Sequence, residues 1–429
     1  MTNSVMNRQS ATPSMAGSGQ RGSDCGCPDY AISRRRLLQT AAATTGALAG
    51  ATMFGDTFRQ VAYGAPGGNV VVVLSLRGGA DGLSIVVPKG ADHDVLAAAR
   101  PGVVIPEDQL IGGDANFGLH PALAPLLPMW TAGKFGAVHG IGLPQPNRSH
   151  FDATAAVEDA DPGSVERRGW INRLIGLNAG ALPEEHMHLG GSMLQLQLSG
   201  PAPALAAYSI NALTLPNLWP DKRLDRAVKQ AWRGSSKLDV AVRQAVDCTG
   251  RLRTLAATDP AEVATVTYPE GPLRDVLLNT AALIKGDVGA RVVTIDYGDW
   301  DMHTGMGTVG NGWMKDHLTH LAGSLKAFFD DLGPIGDRVT LFTISEFGRR
   351  VEQNGDNGTD HGYGNAMLAF GAGVNGGAVR GQWRHLDNLN DGDVSLAQDY
   401  RSVIWEVLSK RFPEISGKRA SVFPGFTPE

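Results

Sequence analysis

A glycine-rich loop between residues 295 and 308 concentrates side chains that can hold a metal ion. Asp299 and His303 are spaced as Asp-x-x-x-His directly after an apolar run. Carboxylates and imidazoles are common ligands of transition metals, and the glycines allow the backbone to fold back so that both reach one ion. The same acids could instead cap the next helix, with the histidine in solvent. Taken alone, the segment leaves both interpretations open.

Similar polar clusters follow other apolar runs of the chain. In active sites of open α/β sheets, side chains at the carboxyl ends of several strands meet at one edge of the sheet. We therefore expect these clusters to come together in space. In chain order they contain Asp81, then Ser149 with His150, then Asp299 with His303, then Glu346, and then Asp360 with His361.

The elements that must position these residues alternate between strands and helices. Continuous apolar runs are typical of strands that are buried on both faces of a parallel sheet. They occur near residues 69–76, 135–141, 291–295, 338–344 and 367–370, and helical patterns occur at 121–130, 152–158, 273–284 and 313–332. This order predicts one α/β domain over residues 65–429 with a mostly parallel central sheet.

Two segments depart from this alternation. Residues 221–257 are charged and helical in pattern, which predicts a helical insertion that packs on the sheet or forms a lid. Residues 183–210 include the alternating stretch Leu194–Leu198, which predicts an added β element.

The composition indicates a globular protein and excludes some partners. The chain has 429 residues, of which 42% are hydrophobic and 19% charged, with a formal net charge of -5. An acidic balance disfavours nucleic acid as a partner. The glycines at Gly78–Gly82 do not match a dinucleotide fingerprint, and neither GxxxxGK[ST] nor GxSxG occurs in the chain. Nucleotide chemistry and ordinary serine-esterase chemistry are therefore disfavoured.

Residues 1–64 have the features of an export signal. Their first half is rich in Ser, Gly, Asn and Gln, which predicts disorder. Arg34 and Arg35 then precede leucines and a mildly apolar run that ends near Phe54. The pattern resembles a twin-arginine signal and predicts recognition by the twin-arginine translocase, cleavage before Ala65 and a periplasmic or extracellular location. The run is too short for a stable membrane span.

Five motifs together resemble those of one protein family. The stretches LRGGADGL, NRSHFDA, DWDMHTGM, SEFGRR and TDHGYG are similar to motifs of the DUF1501 family, an exported family related to the alkaline phosphatase and sulfatase superfamily. The resemblance extends from about Val70 to the C-terminus. It implies an alkaline-phosphatase-like three-layer sandwich, and it implies a divalent-metal-dependent hydrolase whose substrates are small anionic esters of phosphate or sulfate.

The resemblance also implies a set of metal ligands. Asp299, His303 and His361 provide two nitrogens and one carboxylate, which suits Zn better than Ca. At a second site Phe347 stands where the superfamily usually has a histidine, so one metal site is expected rather than two. The matched ligand positions are Asp81, Asp299, His303, Glu346 and His361.

Catalytic roles follow from the same comparison. Ser149 lies where the nucleophile is expected, although Ser-x-x-Asp is also a helix-capping pattern. His150 could be a ligand, a general base or a supporting residue. Arg349 is a candidate for binding the anionic oxygens of an ester, as are Arg148 and Arg350. An alternative hypothesis is an exported binding or assembly protein that kept the fold and lost turnover, because a lost ligand at Phe347 would end two-metal chemistry.

Overall fold

The computed structural model describes residues 67–161, 164–213 and 222–427. The predicted disordered region and export signal in residues 1–64 lie outside these ranges. Among the helices within the ranges, none has the length and apolar character needed to cross a membrane.

The described residues form thirteen strands, most of them in one central sheet. Five of the six longest coincide with the apolar runs seen in the sequence. The strands are β1 (Val70–Leu76), β2 (Val86–Pro88), β3 (Phe117–Leu119), β4 (Phe135–Gly142), β5 (His186–Leu189), β6 (Leu205–Ala207), β7 (Val292–Tyr297), β8 (Val339–Ile344), β9 (Arg349–Gln353), β10 (Thr359–His361), β11 (Asn365–Gly371), β12 (Val379–Arg380) and β13 (Gln398–Asp399).

Twelve α-helices of the described ranges accompany these strands. They are α1 (Gly82–Ile85), α2 (Ala91–Ala99), α3 (Leu127–Thr131), α4 (His150–Asp159), α5 (Trp170–Ile175), α6 (Lys222–Ala231), α7 (Lys237–Ala256), α8 (Pro260–Val263), α9 (Arg274–Lys285), α10 (Trp313–Leu332), α11 (Tyr400–Arg411) and α12 (Arg419–Val422).

The central sheet is mostly parallel, as the sequence predicts. Its strand order is β12-β4-β11-β8-β1-β7-β5-β6, and β13 pairs with the outer side of β4. Only β11 runs antiparallel to its neighbours, β4 and β8. Strands β1, β4, β5, β6, β7 and β8 therefore share one direction, and their carboxyl ends meet at one edge of the sheet.

Helices cover both faces of this sheet, which produces three layers. Val72 and Leu74 of β1 point into a core that includes side chains of α9 and α10. Val71 and Val73 point to the opposite face, into a core that includes α5 and α11. Successive residues of a strand face opposite sides, so the unbroken valine run of β1 serves both cores. The α/β fold expected from the sequence is confirmed.

The segment predicted as a helical insertion contains α6 and α7. Helix α7 buries Cys248, Leu252 and Leu255 in the core that contains α9 and α10. Its Arg251 pairs with the buried Glu184, which lies just before β5. Helix α7 therefore packs on the core of the domain through these residues.

The added β element predicted within residues 183–210 is present as strands β5 and β6, but the alternating stretch Leu194–Leu198 is not a strand. This stretch contains a short 3-10 helix, Leu196–Leu198. Its polar residues do not line an exposed strand face, because the Gln195 side chain donates to Asp296 at 2.6 Å and the Gln197 backbone donates to Glu158 at 3.3 Å. Neighbouring strands β5 and β6 do extend the sheet, one on each side of this stretch.

Candidate metal centre

Loops at the carboxyl edge of the sheet bring polar side chains of distant segments together. His150 begins α4, which follows β4. Asp301 and His303 follow β7, and Glu346 follows β8. His361 ends β10, which pairs with β9. Strand β9 follows β8 in the chain. The expectation that the polar clusters meet at this edge therefore holds for these residues.

Four of these residues, His150, Asp301, His303 and His361, form a group that we call the imidazole cluster. Nε2 of His303 lies 2.9 Å from Nε2 of His361 and 3.0 Å from Oδ1 of Asp301. Nε2 of His361 lies 3.3 Å from the same oxygen. Nε2 of His150 lies 3.4 Å from the other oxygen, Oδ2. Three imidazoles thus direct Nε2 toward one carboxylate.

Each imidazole of the cluster is held by a hydrogen bond from its other ring nitrogen. Because carbonyl and carboxylate oxygens only accept, these bonds place a proton on each Nδ1. In the neutral imidazole the lone pair is then on Nε2, facing Asp301. Metal-binding histidines commonly have this outer hydrogen bond. The acceptors, each at 2.8 Å, are Glu346 for His150, Asp360 for His303 and the carbonyl of Arg148 for His361.

The geometry and donor types of the cluster fit a transition-metal ion. The Nε2 atoms of His303 and His361 and Oδ1 of Asp301 form a triangle with edges of 2.9, 3.0 and 3.3 Å. Ligands at about 2.0–2.2 Å from a tetrahedral zinc stand about 3.3 Å from one another. Imidazole-rich sets also favour zinc, iron, copper or nickel over calcium. Side-chain exposures between 23% and 46% leave the cluster accessible from solvent.

Electrostatics favour the charged forms of Asp301 and Asp360 and the neutral form of His361, which are the states that a metal site requires. Burial alone would raise the pKa of Asp301, but the hydrogen bond and charge of Arg349 outweigh it and hold this pKa below the usual value. Burial lowers the pKa of His361, which favours its neutral form. Hydrogen bonds from Asn354 and then from His303 lower the pKa of Asp360, so the outer acceptor stays ionised.

The structure places Asp301, and not the predicted Asp299, beside His303 and His361. Asp299 has a left-handed φ of 64° and lies exposed. It is near Tyr297, whose pKa is raised by burial and then by the charge of Asp299. After this turn the backbone alternates: Trp300 is buried, whereas Asp301 faces the cluster. Residues two apart in an extended segment share a side, which places Asp301 beside His303. The alternation Trp-Asp-Met-His was the signal in the sequence.

Glu346 also differs from its predicted role as a ligand. Its Oε1 accepts from Nδ1 of His150 at 2.8 Å and from the backbone of Gly78 at 2.9 Å, and its Oε2 accepts from the Ser345 hydroxyl at 3.2 Å. Glu346 is buried behind His150, on the side away from Asp301. It therefore orients an imidazole of the cluster and does not face the triangle of ligand atoms.

Phe347 supports the imidazole cluster by packing. Its ring is 3% exposed and lies 4.8 Å, centroid to centroid, from the rings of both His150 and His361. A bulky ring at this position fixes the orientation of two imidazoles.

Arg349, the predicted candidate for binding the anionic oxygens of an ester, is engaged in contacts within the protein. Its side chain is completely buried, and its donors are used within the protein. One guanidinium links the loops after β1 and β7 to β10 and also holds Asp301. The acceptors are the carbonyls of Gly79 at 2.6 Å, Thr359 at 2.8 Å, Trp300 at 3.2 Å and Gly78, together with Oδ1 of Asp301 at 2.7 Å.

Asp81 is likewise not brought into the imidazole cluster. Its carboxylate is 2% exposed and pairs with Arg100, which is fully buried. It also accepts from the Ser84 hydroxyl at 2.8 Å and caps α1 through the Leu83 backbone at 3.2 Å. These contacts occupy both oxygens, so Asp81 stabilises the turn after β1.

Ser149 occupies the capping position that its motif also allowed. Its Oγ accepts from the Asp152 backbone at 3.4 Å, and in the described ranges it has no hydrogen bond to the imidazole cluster. Arg148 pairs with Asp391 and Asp393 and is 36% exposed. Arg350 donates to the Asp391 carbonyl at 2.5 Å. Of the three candidate arginines, Arg349 contacts the cluster through its side chain, at Asp301, and Arg148 contacts it through its backbone, at His361.

Known proteins were compared with this chain in sequence and in fold. No protein of curated function has a matching sequence. Among solved structures, alkaline phosphatase from the Antarctic bacterium TAB5 is similar over 72% of this chain and 93% of that chain, with 10% identity and a TM-score of 0.26. Residues 120–396 match the family model described as "Protein of unknown function (DUF1501)", and this range contains the whole imidazole cluster. Since the match covers more than half of the sequence, the chain belongs to the DUF1501 family.

Proposed function

We propose that this protein is an exported hydrolase that depends on one divalent transition metal, most simply Zn, held by Asp301, His303 and His361. The observation that carries the proposal is the convergence of Nε2 lone pairs on one carboxylate. The two imidazole nitrogens at 2.9 Å repel each other unless a cation lies between them. A metal supplies that cation, and three protein ligands with one open position are typical of catalytic zinc sites.

The proposed chemistry is hydrolysis by an activated water. A metal at this position would polarise the bound ester and lower the pKa of a water molecule. His150 would take the proton, because Glu346 holds its Nδ1 and its buried Nε2 has no hydrogen-bond partner among the described residues. Arg349 would keep Asp301 ionised and correctly oriented.

The proposed substrates are small phosphate or sulfate esters, in the periplasm or outside the cell after export by the twin-arginine route. This part rests on the motif resemblance and on the signal-like residues 1–64. The site adds one supporting feature. Arg148 adjoins His361, and its partly exposed guanidinium offers a cation to an anionic ester.

The experiment that tests the proposal combines metal analysis with activity. Protein exported natively should contain about one metal ion per chain and should cleave an aryl phosphate or an aryl sulfate. His303→Ala and His361→Ala should each lose the metal and the activity. His385→Ala is the matched control, since His385 is exposed and pairs with Asp92 elsewhere. Folded wild-type protein that binds no Zn, Fe, Mn or Ni would show that a proton, not a metal, joins His303 and His361.

A second candidate function is supported by a different observation. Ser149 caps a helix and Arg349 is fully engaged, so neither the predicted nucleophile nor the predicted anion-binding arginine is free. An exported protein that binds metal without turnover fits that observation. It predicts a normal metal content with no cleavage of either ester, whereas the hydrolase proposal predicts both metal and cleavage.

A further inference from the structure

A cleft that lies apart from the imidazole cluster is present at the opposite edge of the sheet. It has a volume of about 210 Å³ and opens between the C-terminal half of α11 and the sheet. Its sheet side is formed near the starts of β4 and β8 and the end of the antiparallel β11, which together mark the amino edge. The imidazole cluster is at the carboxyl edge, so the cleft is not part of the candidate metal centre.

The cleft exists because small residues face one side of a helix. Gly136 of β4 and Ala369 of β11 are paired across the strands and form the floor. On α11, Ile404 and Leu408 pack into the core, whereas Val403 and Val407 line the cleft and remain only partly buried. The small residues leave an apolar space between the sheet and the helix, and concave, mostly apolar surfaces of this kind are typical of small-molecule sites.

Cations surround the opening of this apolar space. Arg380, Lys410 and Arg411 line the cleft together with one acid, Glu406, which gives three positive charges against one negative. Lys410 pairs with Glu406. Neither arginine forms an ion pair with any carboxylate in the part of the chain that the structure describes. This basic opening contrasts with the acidic protein, whose formal net charge is -5.

Arg411 is the less hydrated of the two arginines. Its Nε is buried and has no hydrogen-bond partner among the described residues, and one of its terminal nitrogens donates to the Asn69 side chain at 2.5 Å. Burial lowers the pKa of Arg411, and no carboxylate offsets the loss of hydration. An unpaired, partly buried guanidinium at the end of an apolar cleft is a suitable site for an anionic head group.

We propose that the cleft binds a small amphiphile, a medium-chain aliphatic carboxylate whose head group contacts Arg411 and Arg380 and whose tail lies against Ala369, Val403 and Val407. The volume supports the tail length. A cavity of about 150 Å³ accommodates benzene, so about 210 Å³ holds a chain of roughly six to eight carbons. The proposal is independent of the metal and of hydrolysis.

Calorimetric titration of the full chain with octanoate tests this site. We expect one site per chain, weak or undetectable binding of acetate, and no binding of octyltrimethylammonium. Arg411→Gln should weaken octanoate binding at least about tenfold, because it removes a charge-assisted contact. Arg384→Gln is the matched control, since it removes one exposed arginine outside the cleft and should leave the affinity unchanged.

The tail is tested separately at the rim of the cleft. Val407→Phe fills the space from a partly exposed position and should abolish octanoate binding while circular dichroism remains native. This variant and Arg380→Gln keep the test informative if Arg411→Gln does not fold. Saturating octanoate without any heat or thermal shift would overturn the proposal. Equal affinity for acetate, or unchanged binding in folded Val407→Phe, would also overturn it.

Discussion

Replacing Arg349 by lysine should destabilise the protein far more than a surface arginine does. Arg349 donates to four backbone carbonyls and to Asp301 from a completely buried position. Lysine has a single nitrogen and cannot reach acceptors that lie on three separate segments. At least two carbonyls would lose their donor, and each buried unsatisfied group costs about 1–3 kcal/mol. We expect a loss of about 4 kcal/mol in the free energy of unfolding.

Equilibrium urea denaturation of the full chain at pH 7 measures this change. Arg350→Lys is the matched control, because Arg350 is the next residue in the chain and its side chain is 33% exposed. Its shortest hydrogen bond is to one backbone carbonyl, that of Asp391. The control should change stability by less than about 1 kcal/mol. Arg349→Lys should also weaken metal binding, since Asp301 loses the cation that orients it.

The outcome distinguishes two roles for the same residue. An arginine that binds substrate would reduce turnover when replaced and would leave stability nearly unchanged. An arginine that joins three loops would reduce stability first. If the free energy of unfolding of Arg349→Lys lies within about 1 kcal/mol of the wild-type value, Arg349 does not have this structural role.

Three further predictions concern buried ionisable groups. Asp81→Asn should cost about 3–5 kcal/mol in urea denaturation, because it leaves the buried charge of Arg100 unpaired, and metal analysis should show unchanged metal content. Burial lowers the pKa of His120 and His139 to about 4, so the unfolded chain takes up their protons at a higher pH than the folded chain does. The free energy of unfolding should therefore fall as the pH is lowered from 6.5 to 4. A wild-type free energy of unfolding that stays constant over this range would contradict the prediction. Burial raises the pKa of Glu185 to about 7, so the free energy of unfolding should fall as the pH rises from 4.5 through 7. Glu185→Gln removes this ionisation and should raise the free energy of unfolding at pH 8 by about 2–3 kcal/mol, measured by urea denaturation.

The architecture was accessible from the sequence because its signals are local. The valine run of β1 and the apolar runs of β4, β7, β8 and β11 predict strands that are buried on both faces, and the structure places them in the central sheet. Turn residues and acids after these runs predict where the strands end. Since parallel strands end at a common edge, the meeting of His150, His303 and His361 also follows from the one-dimensional pattern.

Which atoms face one another was decided only by the tertiary structure. His303 and His361 meet across 58 residues, and Arg349 donates to the carbonyl of Gly79 across 270. The sequence shows that Asp299, Asp301 and Glu346 are acids, but not where their carboxylates lie. A left-handed turn at Asp299 places Asp301 beside His303 and His361, and Glu346 accepts a hydrogen bond from His150. Residue type and spacing therefore determine the edge of the sheet at which chemistry can occur. Contacts between distant segments determine which residues of that edge face one another, because a hydrogen bond from a remote loop fixes the direction of each side chain.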